Sequence, residues 1–404
     1  MQMQPISEAV PLRVDARTLV DAPHPALRRL RQFHSLVSLG QNQVLALDAK
    51  DVFALTTDPR TKQIEGHDFT RLNEIPDGYT SRLLADFFLF GNDEAHRAKR
   101  GLFARAFSFH NIRRRQDGIR AVADGIVADL PRGGPFDFVD AMAARLPAEM
   151  IADFFGLHRQ DARYFAGLVY DVALAVGPTY PHDRHEAIEA AAQELFIYIS
   201  DALTVRRSFP TNDLLSAIVS DWEKDQALTF DSLVHQVIGV VIGGTDTTRA
   251  GFAMLVALLL LHPEQWAAVT EDPALIPAAV NEALRYEPPV GSITRMVTTP
   301  MEIGGFALPA GTVLRVSLLS ALRDPAAYAR PDEFDIHRDD NPRLHPIFGN
   351  GPHRCIGEML ARIEMQEALA ALVAAAPDIR LVEVPRMLGF GGIRQITAMT
   401  TEID

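Results

Sequence analysis

The stretch Phe348-Gly349-Asn350-Gly351-Pro352-His353-Arg354-Cys355-Ile356-Gly357 decides how the rest of this 404-residue chain is read. Gly349 and Gly351 precede a helical pattern and permit a tight loop with backbone angles closed to most other residues. Cys355 then stands at the start of the helix, where free backbone N–H groups and the helix dipole favour a thiolate over a thiol. A thiolate is a strong axial ligand for iron. His353 and Arg354 place donors beside it that suit an anionic group, and Gly357 removes a side chain so that a flat ring can approach the helix. A lone cysteine is ordinarily a small packed hydrophobe. The surrounding pattern, rather than the cysteine itself, argues against that reading.

Composition narrows the field. The chain is 48% hydrophobic and 23% charged, which suits an ordinary globular protein. Its length alone would allow two or three domains. No linker, low-complexity tract or repeat divides it, so we expect a single domain over residues 1–404, a helix-rich body with a small β-rich lobe. A net charge of −13 argues against a general affinity for nucleic acid or an anionic membrane. The opening Met1-Gln2-Met3-Gln4-Pro5 lacks the basic and apolar regions of a secretory signal. The longest apolar stretch, around residues 252–261, is too short to span a bilayer. A soluble, cytoplasmic protein is expected. One cysteine excludes a disulfide framework within the chain and any multi-cysteine metal site.

Residues 26–39, 94–107, 112–130, 139–155, 161–175 and 185–206 carry apolar residues at three- and four-residue steps, the mark of amphipathic helices. Residues 213–219 form a shorter candidate. A helix over 230–261, apolar nearly all round and roughly 48 Å long at 1.5 Å per residue, should cross the centre of the molecule. Another over 273–286 stops at Pro288-Pro289, and a last one covers 356–375. Short strands are expected at 44–47, 52–56, 293–297, 301–303 and 313–317, with 379–404 alternating like strands about Gly391-Gly392. The fold class is therefore mainly α with a minor β region, the strands segregated from the helices.

Two more motifs break local rules. Gly243-Gly244-Thr245-Asp246-Thr247-Thr248 puts poor helix formers at the middle of the long apolar helix. Such violations tend to mark function. The glycines let a ligand approach the backbone. A Thr247 hydroxyl bonded back to a carbonyl would open the helical ladder, and Asp246 can pass protons inward. Arg249, a charge on the same apolar stretch, faces a ligand carboxylate, the cysteine side or a salt bridge; its place stays open. Glu282-Ala283-Leu284-Arg285 sets two charges on one helical face.

Phe-Gly-x-Gly-x-His-x-Cys-x-Gly at 348–357, continued by Leu360-Ala361-Arg362 and Glu364, resembles the haem-binding signature of the cytochrome P-450 family. The 243–248 element and the Glu-x-x-Arg of 282–285 resemble two further motifs of that family, in the family's order. The resemblance runs from about residue 25 to the end. It implies the cytochrome P-450 fold, with haem b (iron protoporphyrin IX) between the long central helix and the cysteine-loop helix. Cys355 would be the metal ligand. Phe348, His353 and Gly357 would touch the haem from its loop, and Gly243 and Gly244 from the central helix. His96 and Arg100, four apart on one helical face, and Arg295 suit the haem propionates. Asp246 and Thr247 would be the acid–alcohol pair that supplies protons for oxygen activation. Glu282 and Arg285, joined by Arg338 from Pro331-Asp332-Glu333-Phe334-Asp335-Ile336-His337-Arg338, would be structural residues beneath the cysteine loop.

The implied activity is monooxygenation: O2 and two external electrons hydroxylate a small, largely apolar molecule such as a terpenoid, steroid, fatty acid or aromatic. By the same analogy Leu83, Leu84, Phe87, Phe88, Val240, Val290, Ile293 and Phe390 line the substrate pocket. The chain has no Gly-x-Gly-x-x-Gly fingerprint and no spare cysteines, so a separate ferredoxin or flavodoxin with its reductase would supply electrons. Arg105, Arg113 and Arg114, with Arg354 and Arg362 near the cysteine, are the expected docking patch for such an acidic partner. A monomer is expected, with no nucleic-acid or membrane partner. A non-catalytic haem or gas-binding protein and a peroxide-driven haem enzyme are the competing readings; the Asp246–Thr247 pair counts against the first.

Overall fold

The computed structural model describes residues 10–40, 42–177, 179–225, 228–341 and 345–404. Its axis is the central helix Phe230–Leu261. The Thr229 side chain caps it by accepting from the Ser232 N–H at 3.1 Å. Pro263 follows the last turn and opens the next helix, Pro263–Glu271. The central helix is apolar all round because protein surrounds it. Helices Arg145–Phe155, Ala162–Ala173, His185–Ser208, Ile276–Tyr286 and Glu358–Ala375 pack against it. By length and composition it could cross a bilayer, but most of its apolar stretch is buried inside the protein. It is a core helix, longer than the apolar run around residues 252–261 suggests.

A five-stranded sheet stands at one side, in the order Leu36–Gly40, Gln43–Ala46, Val313–Ser317, Ser292–Val297, Thr61–Gln63. Only the Gln43–Ala46 and Val313–Ser317 pair is parallel. The remaining strands form small sheets, including Met301–Ile303 with Phe306–Leu308 and the C-terminal Thr400–Glu402 between Phe136–Asp137 and Arg380–Leu381.

Two local expectations fail. The helix expected over 26–39 ends at Arg31, and Leu36–Gly40 is a strand. There Leu36-Val37-Ser38 pairs with Gln43–Ala46, so sheet pairing overrides the helical period. The strand expected at 52–56 is the helix Ala49–Leu55. Its first N–H, on Ala49, is capped at 2.8 Å by the carboxylate of Asp324, a residue no local pattern could supply. Elsewhere boundaries shift. The 112–130 pattern divides into Phe109–Arg113 and Gln116–Ala128, and 139–155 opens with a π turn at Val139–Ala143. The last helix begins at Glu358 rather than 356.

Two buried ionic clusters tie distant parts together. Arg285 donates to both Glu282 carboxylate oxygens at 2.7 Å, and neither side chain is exposed at all. Arg338 lies 3.2 Å from the same carboxylate. Glu287, also buried, accepts from Arg323 at 2.8 Å and Arg394 at 2.6 Å and lies 2.9 Å from His24. Burial pushes the Glu287 carboxyl up, but His24, Arg394 and Arg323 together hold it well below the usual carboxylate range. The same burial pushes His24 down to about 4, so it stays neutral near neutrality. Removing one partner of a buried pair costs about 3–5 kcal/mol. Arg338→Met should therefore lower the unfolding free energy by about 3 kcal/mol in a urea titration; an unchanged midpoint would show that Glu282 does not need its second cation.

Candidate active site around Cys355

The cysteine loop is built from short turns. Pro346–Phe348 forms one, Gly349 follows at φ +70°, and Gly351 at φ +64° opens the turn Gly351–His353. Both glycines thus occupy the left-handed region that side chains disfavour. The Cys355 N–H closes the loop on the Phe348 carbonyl at 2.7 Å. Arg354 braces it from within, donating to the Gly349 carbonyl at 2.7 Å and pairing with Glu358 at 2.6 Å.

The Cys355 side chain is accessible yet lies deep, lining a hollow of about 560 Å³ with Ile356, Glu358, Met359 and Arg362. Burial pushes its thiol above the ordinary value; the Gly357 N–H and the Arg100 and Arg354 charges oppose that shift, and Glu358 adds to it. This corrects the expectation of a thiolate secured by the helix start. Desolvation outweighs the backbone donors, so a cationic metal is what would hold the sulfur deprotonated. A Cβ on Gly357 would meet only the Cys355 sulfur, at 3.9 Å, leaving open space beside it.

On the central helix, Gly243, Gly244 and Thr247 are the only residues between Ser232 and Leu259 that are not buried. They form an accessible window in the middle of an otherwise enclosed helix. A Cβ on Gly243 would meet nothing within 4 Å. The Thr247 hydroxyl donates to the Gly243 carbonyl at 2.6 Å, and Thr245 bonds back likewise to Val241 at 2.7 Å. The helix nonetheless runs unbroken from Phe230 to Leu261, so these bonds do not open the ladder as expected. Asp246 points elsewhere. Its Oδ1 accepts from Arg249 Nε at 2.9 Å and Nη2 at 2.5 Å, in a buried i,i+3 pair. Burial pushes the Asp246 carboxyl up and Arg249 pulls it down, with burial the larger. The Arg249 guanidinium in turn lies 4.7 Å above the Tyr170 ring. The open question over Arg249 is settled as a salt bridge.

The basic residues named from sequence converge. His96 and His353 have ring centroids 4.2 Å apart. Burial and the charges of His96, Arg295 and Arg100 push His353 down to about 4. Arg100 donates to the Arg354 carbonyl at 2.6 Å, fixing the helix Asp93–Ala104 on the cysteine loop. Arg295 is buried and donates to the Thr61 carbonyl and hydroxyl at 2.8 and 3.1 Å. His96 Nε2 is buried without a hydrogen-bond partner. A concentration of cations around an orphaned donor suits an anionic group such as a propionate pair. With the accessible sulfur and the window on the central helix, these residues fit a haem.

Other sequence-named residues fare unevenly. Glu282, Arg285 and Arg338 come together as described. Phe348 packs under Arg362, whose guanidinium lies 5.0 Å from its ring. Leu83, Phe88 and Val240 are buried in the main core, with Phe87, Val290 and Ile293 partly buried against it. Ile293 Cδ1 would lie 3.9 Å from a Cβ on Gly349, beside the cysteine loop. Leu84 and Phe390 are corrections. Leu84 turns to a separate apolar cluster with Phe69 and Phe90, since adjacent helical residues face different sides. Phe390 packs its side chain with Leu19, Leu45 and Leu319 behind the sheet, and only its backbone approaches Gly291. Arg354 and Arg362 are also corrected as docking cations. Glu358 pairs with both, at 2.6 and 3.2 Å, and Arg362 also bonds to Asn281, so they scaffold the loop. Arg105, Arg113 and Arg114 are exposed, and the Arg113 guanidinium lies 5.8 Å from the ring of Phe109, itself exposed.

Sequence reasoning missed Tyr170, whose ring lies under Arg249, and Gly239. Tyr170 carries no local signal. Gly239, a second glycine site inside the apolar helix, breaks the same rule that singled out Gly243.

Known proteins agree with this geometry. The family model described as Cytochrome P-450 matches residues 180–375. The plant-inducible cytochrome P-450 pinF1 of Rhizobium radiobacter is 36% identical over 362 residues, 89% of this chain and 85% of that protein. A steroid C26-monooxygenase of Mycobacterium tuberculosis is 31% identical over 72% of this chain and 78% of its own. The tirandamycin C-bound P-450 monooxygenase TamI superposes with a TM-score of 0.86 at 28% identity, covering 98% of this chain and all of that one. A thiol-bearing glycine loop, a buried Glu–Arg cluster and a mid-helix window, matched over most of the chain by such relatives, make this protein a member of the cytochrome P-450 family and a monooxygenase.

Proposed function

We propose that this chain, acting as one catalytic domain, hydroxylates a compact, largely apolar organic molecule with O2 and two electrons delivered by a separate ferredoxin or flavodoxin. The observation that carries this reading is the accessible window of Gly243, Gly244 and Thr247 on an otherwise buried helix. Haem b, held by the Cys355 sulfur and by His96, Arg100, Arg295 and His353 around its carboxylates, would supply the electron and dioxygen chemistry that side chains cannot perform.

The chain's own residues do the rest. Thr247 spends its hydroxyl proton on the Gly243 carbonyl, so its oxygen faces the window as an acceptor and orients a water that donates to it. Asp246 is the buried acid next in the chain. Two Arg249 N–H groups on its Oδ1 favour the carboxylate inside the core, and the proton path requires that hold to loosen. Phe87, Phe88, Val240, Val290 and Ile293 exclude bulk water from the window and favour an apolar guest. Exposed Arg105, Arg113 and Arg114, with Phe109 beside Arg113, give an acidic electron donor a basic, partly apolar landing surface. The apolar lining supports terpenoid, steroid, fatty-acid or aromatic substrates alike.

Reduced protein exposed to carbon monoxide should show the red-shifted Soret band of a thiolate haem, and Cys355→Ser should lose it. A band at the position typical of histidine ligation would overturn the assignment. Asp246→Asn should lower turnover by about 100-fold, the usual contribution of a positioned proton donor, while leaving substrate-induced spectral shifts in place. A gas-binding protein without turnover would show no reductant consumption in either form. Reversing Arg113 and Arg114 to Glu should slow reduction by an acidic ferredoxin several-fold and steepen the loss at low salt. Equal stopped-flow rates at low and high ionic strength would remove the docking patch.

A further inference from the structure

Asn92 stands at the start of the helix Asp93–Ala104, which carries His96 and Arg100. Its carbonyl accepts the His96 N–H at 3.1 Å and so begins the helical ladder. An asparagine in this position ordinarily caps its own helix, its side chain accepting a free backbone N–H. Among the described residues Asn92 makes no such cap. The side chain is turned outward instead, a departure from the local rule that points to another task.

That task lies on the strand Thr61–Gln63, the edge of the five-stranded sheet. Asn92 Oδ1 accepts the Gln63 N–H at 3.2 Å, and Nδ2 donates to the Gln63 carbonyl at 2.9 Å. One amide thus answers both backbone groups of one residue, as a neighbouring antiparallel strand would. Nδ2 also donates to Glu65 Oε1 at 2.7 Å, an oxygen that Lys62 holds at 2.9 Å. Directly after this clasp, Asp93 turns the chain at φ +55°, a left-handed angle that residues other than glycine seldom adopt.

The same strand holds the opposite cation. Arg295 stands across from Gln63 in the sheet, and its guanidinium donates to the Thr61 carbonyl and hydroxyl. Three residues of edge strand therefore anchor two arms: Arg295 through Thr61, and His96 with Arg100 through Gln63 and Asn92. Between the arms lie the buried His96 Nε2, with no hydrogen-bond partner among the described residues, and the His353 ring stacked on His96. Two carboxylates on a flat, rigid ring stand at a fixed spacing, so cations that meet both must be held at a matching one. We propose that the Asn92 amide, laid along the open edge of Thr61–Gln63, is a positioning residue that sets the separation of the His96–Arg100 and Arg295 arms and makes haem retention depend on the haem carboxylates. The proposal rests on the haem-thiolate reading above. Asn92 acts through the strand, not on the carboxylates themselves.

The test follows transfer of haem, and of haem dimethyl ester, from the loaded protein to excess apomyoglobin by absorbance. The ester keeps the ring and iron but lacks the carboxylate charges. Asn92→Ser retains a good helix cap yet is too short to clasp both Gln63 groups. It should keep the circular dichroism of the unaltered protein and release haem about tenfold faster, as for the loss of one hydrogen bond to a charged group. Release of the ester should change by less than about twofold, and so should release of haem when Asn92→Ser is added to Arg295→Gln, where one arm is already gone. Asn92→Asp, which turns a carboxylate on the Gln63 carbonyl and on Glu65, should act in the same direction as Asn92→Ser. Equal acceleration for haem and ester would reduce Asn92 to a fold-stabilising residue and overturn the proposal. Unchanged haem release in Asn92→Ser, or the full effect in the Arg295→Gln background, would overturn it too. Failure of the unaltered protein to hold haem at all would overturn the haem reading, and the clamp with it.

Discussion

The bidentate pair between Glu282 and Arg285 holds the site in place. With no water to share, each charge must be matched fully by protein. Arg285 therefore reaches out to the carbonyls of Leu322, Pro331 and Glu333, and Glu282 accepts the Asp335 N–H as well as Arg338. The irregular chain that precedes the cysteine loop is thereby fastened to the helix Ile276–Tyr286. From that helix Asn281 binds Arg362 on the cysteine side and lies near His345 at the start of the loop. A polar coil is thus held against the helix Ile276–Tyr286 without ordinary secondary structure.

Charges elsewhere follow the same logic. Asp246, Glu282 and Glu287 are all buried, and each has at least one arginine on it. Glu364 is the exception among these acids. It is buried on the cysteine helix, and burial alone raises its carboxyl well above the usual value. It is most cheaply kept neutral, unlike the paired acids.

Much of this was legible in the chain. Fold class, the central helix and the motifs around Cys355, Gly243 and Glu282 could be read because each depends on short-range spacing. The gathering of His96, Arg100, Arg295 and His353 followed from resemblance, since nothing local brings residues so far apart in sequence together. What stayed hidden was decided by tertiary partners. The helix Ala49–Leu55 is capped by Asp324, and Leu36–Gly40 becomes a strand only because Gln43–Ala46 lies beside it. Apolar identity could not tell Leu83 from Leu84, which face different cores. Nor could positive charge tell Arg354 from Arg113, since Glu358 neutralises only the first.

The Glu287 cluster has a consequence for how the molecule is made. Its acid follows the helix Ile276–Tyr286, neutral His24 reaches it from near the start, and its two cations come from Arg323 and Arg394. While the chain is still emerging from the ribosome, Arg394 is the last of these to appear, and until then Glu287 has no complete shell of counter-charge. The helices can form early, but the interior cannot close over that acid. The last-made of these partners is thus also the one on which the neutralisation of a buried acid more than a hundred residues earlier depends.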